Sequence, residues 1–96
     1  MTKQYESMII LEPGLSMEEV QKENERIINL IKDNGGEVTK TDSWGKRFLA
    51  YPIQKKSEGY YLINYFSLDS LKVLQLEKFY KLNEKIIRFN LINLGE

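Results

Sequence analysis

The sequence has 96 residues, with 14 Lys+Arg, 14 Asp+Glu and neither His nor Cys. A chain of this length supports one core, burying roughly 60–65% of the surface that its unfolded form exposes. The two absences exclude a disulfide framework, a thiolate nucleophile, a Cys/His zinc site, a Ser-His-Asp triad and an imidazole acid/base working near neutral pH.

Gln4 to Leu11 reads as a strand. Tyr5, Ile9 and Leu11 fall on one face with Ser7, and Met8 and Ile10 fall on the other with Glu6. Apolar residues on both parities suit a central strand. Glu12-Pro13-Gly14 stops it. Ser16-Met17-Glu18-Glu19 is a capping box, with Ser16 as N-cap and Glu19 reaching back. The helix that follows carries Val20, Ile27, Ile28 and Ile31 near one stripe, with Glu18, Lys22, Glu25 and Lys32 outside it. Asn34-Gly35-Gly36 ends that helix.

Glu37 to Thr41 reads as a second strand, interrupted by Ser43-Trp44-Gly45 and resumed over Lys46 to Ile53. Pro52 lacks a ladder donor, which puts this strand at a sheet edge. Gln54 to Gly59 reads as a polar turn. Tyr60 to Ser67 is an aromatic and branched strand, apolar on both parities. A second helix runs from Asp69 or Ser70 to Leu82, with Val73, Leu76 and Tyr80 on one face. Asn83-Glu84-Lys85 breaks it, Ile86 to Leu94 forms the last strand, and Gly95-Glu96 is left as a tail.

The order is strand-helix-strand-strand-helix-strand. It predicts an α+β fold over residues 1–96, a single ferredoxin-like split β-α-β sandwich. Its four-stranded antiparallel sheet carries both helices on one face. Right-handed crossovers place the first and third strands centrally. One face of the sheet is then left without helices, although the central strands are apolar on both. Alternation sends Met8, Ile10, Tyr61, Ile63 and Tyr65 to that open face, with Arg88 and Asn90 beside them. Such a patch marks an interaction site, and tyrosines suit either a protein interface or base stacking. Asn64 falls among the core-facing residues, where an apolar side chain is expected.

The balanced charge hides a polarity. Residues 1–37 hold four basic and eight acidic residues, and residues 38–96 hold the other ten basic and six acidic. The basic window is 40–56, with Lys40, Lys46, Arg47, Lys55 and Lys56 against Asp42 alone. Lysines on an edge strand either block sheet-to-sheet aggregation or meet a phosphate backbone. Catalysis finds no support: the paired carboxylates Glu18-Glu19 and Glu23-x-Glu25 do not share a helix face, and the sequence has no phosphate-cradling glycine loop. No apolar run reaches the roughly 18–20 residues of a membrane span, and no signal-type stretch follows Met1. No membrane, metal, cofactor or small-molecule substrate is expected, and the expected location is the cytoplasm.

Four stretches carry a family resemblance: Tyr5-Glu6, the run Trp44-Gly45-Lys46-Arg47-Phe48-Leu49-Ala50-Tyr51-Pro52-Ile53, Gly59-Tyr60-Tyr61-Leu62, and Asn83-Glu84-Lys85-Ile86-Ile87-Arg88. Together they resemble the bacterial small-ribosomal-subunit protein six family (30S ribosomal protein S-six) from Tyr5 to Leu94. The resemblance implies a non-enzymatic, ribosome-associated protein with the ferredoxin-like fold. It implies a heterodimer with small-subunit protein eighteen that binds the central domain of 16S rRNA. By position, Lys46 and Arg47 match the family's basic pair, Arg88 its Arg near the last strand, and Tyr5 its opening Tyr. Joined with the basic window and the open face, these positions give an expected RNA set of Lys46, Arg47, Arg88, Lys40, Lys55 and Lys56 and a partner set of Tyr5, Met8, Ile10, Tyr61, Ile63 and Tyr65. The competing expectation is a self-associating ferredoxin-like module that pairs through its open sheet face.

Overall fold

A computed structural model describes residues 1–53 and 55–95. The elements run β1 (Thr2–Leu11), α1 (Met17–Asp33), β2 (Glu37–Ile53), β3 (Lys56–Asp69), a short 3-10 turn (Ser70–Lys72), α2 (Val73–Leu82) and β4 (Ile86–Gly95). Among the described residues, no helix is long and apolar enough to cross a membrane.

The four strands form one sheet in the order β2-β3-β1-β4, with every neighbouring pair antiparallel. The expected central pair and the Pro52 edge strand are both observed. Ser7 and Asn64 are cross-strand partners, so their side chains project to the same side. Tyr80 of α2 donates to Ser7 at 2.8 Å, and Asn64 donates to Asn24 of α1 at 2.8 Å. Both helices therefore lie on that one face, and the arrangement is the ferredoxin-like split β-α-β sandwich.

The core fills the space between helices and sheet. Ile9, Leu11, Phe66 and Leu68 from the central strands meet Val20, Ile27 and Ile31 of α1 and Leu76 and Tyr80 of α2. The Ser16 hydroxyl and the Glu19 carboxylate complete the capping box that starts α1. Asn64 is fully buried yet satisfied: its amide donates to Asn24, and its oxygen accepts from the Thr41 hydroxyl at 2.7 Å. This resolves its place among core residues, since a buried amide with partners avoids the desolvation penalty. Burial pushes the Tyr80 hydroxyl up to about 12, partly opposed by its bond to Ser7.

Several boundaries differ from the sequence reading: β1 already begins at Thr2, β3 runs on to Asp69, and the expected helix start at Asp69 or Ser70 is the 3-10 turn, with α2 beginning at Val73. β2 is continuous through Ser43-Trp44-Gly45, and the irregularity is a bulge with Gly45 at φ 76°. The expected turn over 54–59 is much shorter, because β3 already begins at Lys56; Gln54 lies outside the described residues. Gly59 is a strand residue: a Cβ there would collide with Ile10 Cγ2 and lie 3.1 Å from the Leu11 carbonyl. β4 extends to Gly95, and Glu96 of the expected tail lies outside the described residues.

Candidate functional site

Cross-strand register lays out the face away from the helices. Glu6, Met8 and Ile10 of β1 pair with Tyr65, Ile63 and Tyr61 of β3, and with Ile92, Asn90 and Arg88 of β4. The bulge in β2 adds one residue, and Trp44 lands on this face with its ring stacked on Tyr61 at 6.0 Å and 14°. Farther along, the Lys40 ammonium lies 5.7 Å from the Tyr65 ring centre and 3.7 Å from the Asp42 carboxylate. The Glu6 carboxylate bonds the Tyr65 hydroxyl and pushes it above its ordinary value, with desolvation and the charges of Glu6 and Asp42 adding to the effect. Tyr65 is therefore a neutral, donor-bearing ring at neutral pH.

The face is not uniformly open. Beyond Phe48, which pairs with Glu58, the β2–β3 register breaks and resumes only at Ile53 with Lys56. The intervening residues lean across the sheet, and Arg88 of the far edge strand donates a short hydrogen bond to the Tyr51 hydroxyl. Leu49 and Ile53 line a cavity of about 410 Å³ with Met8, Ile10 and Tyr61. Ile10 and Ile63 are only 3% and 7% exposed. Two of the five expected open-face residues are thus on the expected face but covered. The other three, Met8, Tyr61 and Tyr65, remain half-exposed.

Tyr5 is corrected outright as a surface contact. It lies on the helix side, 5% exposed, with its ring stacked on Phe66 at 5.6 Å. Alternation already placed it with Ile9 and Leu11, and burial raises its hydroxyl pKa.

The six basic candidates do not form one patch. Lys46 pairs with Tyr60 and lies 5.3 Å from that ring's centre, on the helix side of the edge strand. Arg47 projects oppositely, its Nε donating to the Trp44 carbonyl at 2.9 Å. The pair therefore straddles β2, with Lys55 and Lys56 at the end of the same hairpin. Arg88 stands on the opposite edge strand and, among the described residues, is hydrogen-bonded to this hairpin through Tyr51. Trp44 and Tyr51 were missing from the expected contact sets. Both lie within the signature run, but a bulge and a register break decide their faces, and neither is visible as a period.

A family model described as Ribosomal protein S6 matches residues 4–93. The small ribosomal subunit protein bS6 of Thermoanaerobacter pseudethanolicus is 48% identical over 94 residues, covering 98% of this chain and 99% of that relative. Its counterpart in Caldanaerobacter subterraneus subsp. tengcongensis is 46% identical over the same length and coverage. The crystal structure of 30S ribosomal protein S6 from Thermotoga maritima superposes with a TM-score of 0.92 at 34% identity, covering 97% of this chain and 88% of that one. Matched in both sequence and fold along nearly its whole length, this chain belongs to the ribosomal protein S6 family.

Proposed function

We propose how this structural, non-enzymatic constituent of the small ribosomal subunit is held in place: it binds the central domain of 16S rRNA together with small-subunit protein eighteen. The observation that carries the reading is the adjacency of two surfaces on β2. Lys46 and Arg47 straddle the strand, and one residue before Gly45 the aromatic face begins at Trp44. The edge and its hairpin end meet phosphates, which position a protein without reading sequence. The face supplies aromatic and aliphatic anchors for the protein partner. Equal numbers of acidic and basic residues fit a protein that leaves part of the RNA affinity to that partner.

Lys46→Ala combined with Arg47→Ala tests the assignment. With protein eighteen present, RNA binding weakens and its salt slope falls by about 1.4–1.8, as expected for two lost phosphate contacts. The melting temperature hardly moves, because both side chains are exposed. Unchanged RNA affinity in the double variant removes these residues from the site.

A further inference from the structure

The region between Phe48 and Ile53 is built differently from the rest of β2. Residues 49–52 fall in the register break between the Phe48–Glu58 and Ile53–Lys56 pairs. Pro52 has no N–H to give. Leu49 and Ile53 of the segment share a half-open cavity of about 410 Å³ with Met8, Ile10 and Tyr61, and Arg88 of β4 closes its far side. Its attachment to the far side is the bond from the Arg88 guanidinium to the Tyr51 hydroxyl, between two exposed residues 37 positions apart.

We propose that residues 49–53 are a strap: the Tyr51–Arg88 clasp holds it over the sheet in the free chain, and docking of the partner protein opens it. This rests on the reading that the face receives protein eighteen. Opening costs at most the single Ile53–Lys56 pair of the β2–β3 ladder, and a half-open cavity borders the strap, so it lacks part of the contact energy a packed cover has. A solvent-exposed clasp biases such an equilibrium only a few-fold. What opening offers the partner is apolar: Ile10, 3% exposed under the strap, and the covered sides of Met8 and Tyr61. A closed majority lowers apparent affinity by the open fraction, and partner binding restores it.

Tyr51→Phe keeps the ring and removes the clasp. Backbone order parameters for residues 49–51 and 53 in the free chain fall from rigid values near 0.85 toward 0.6. Association with protein eighteen becomes about two- to fivefold faster at unchanged dissociation. The absence of cysteine allows a stricter version. Tyr51→Cys with Arg88→Cys, bridged by a short bismaleimide, associates at least tenfold more slowly than the same variant capped with N-ethylmaleimide. Equal rates for the bridged and capped forms, or unchanged order parameters in Tyr51→Phe, overturn the strap. Failure of the native chain to bind protein eighteen contradicts the partner reading instead, and the order parameters then decide on the clasp alone.

Discussion

The two faces of the sheet are made of alternate residues from the same strands, yet they solve opposite problems. On the helix side Ile9, Phe66 and Leu68 are at most 1% exposed, and the buried polar groups answer one another across elements: Ser7 with Tyr80, Asn64 with Asn24 and Thr41. Every partner there lies within the chain. On the other side the aromatic rings and cations sit at or near the surface, held by a Trp44–Tyr61 stack, a Lys40–Tyr65 contact and the Tyr51–Arg88 clasp. Exposed contacts of this strength contribute about 1 kcal/mol or less each. Alternate residues of the same strands thus divide between the side that holds the fold and the side proposed to meet a partner.

The comparison breaks most visibly through Phe66. Phe66→Ala removes a fully buried ring that also supports Tyr5, and unfolding by urea should report a loss of about 3–5 kcal/mol. A loss below about 1 kcal/mol would mean that the helix side is not the structural core.

Glu23 gives an intermediate effect and a pH signature. Its carboxylate lies in α1 with its side chain only 4% exposed, accepting from the Asn83 amide at 2.7 Å and facing Arg26 at 3.3 Å and Lys85 at 3.5 Å. Burial opposes its charge, but the Asn83 bond, Arg26 and Lys85 outweigh burial and hold the carboxyl below its ordinary 4.5. A depressed folded pKa gives stability that is fully present above the unfolded value and lost as pH falls through the folded one. Glu23→Gln therefore costs about 1–2 kcal/mol at pH 7, and its gap to the native chain closes as pH falls below about 4.5. Thermal melts across pH 3–7 check this, and a gap that persists at pH 3 assigns the loss to packing.

Tyr65 marks the other extreme. Tyr65→Ala on the open face should shift stability by about 1 kcal/mol at most, yet lower affinity for protein eighteen tenfold or more. A large loss of stability with unchanged partner affinity would reverse the roles assigned to the two faces.

Much of this division was readable from residue order. Alternation separated Ile9 and Leu11 from Met8 and Ile10, the capping box located the start of α1, and Pro52 marked the edge. Alternation also placed Tyr5 in the core, against the contact role that its family position implies. What was not readable depends on contacts distant in sequence. Asn64 looks misplaced until Asn24, 40 residues away, supplies an acceptor. Gly59 resembles a turn residue until the methyl of Ile10 is found where its Cβ would be. The strap was hidden for a similar reason: a register break has no periodic signature, and Tyr51 finds its partner two strands beyond its neighbour.

The helix-free face, continuous with the basic β2 edge, is the surface proposed to receive the protein partner. Hydroxyl-radical footprinting of side chains, with and without protein eighteen, tests it directly. Met8, Trp44, Tyr61 and Tyr65 are expected to lose reactivity on binding while Met17, Leu74 and Leu82 on the exposed sides of the helices keep theirs. Protection of Met17, Leu74 and Leu82 with Trp44 and Tyr65 unchanged would contradict it.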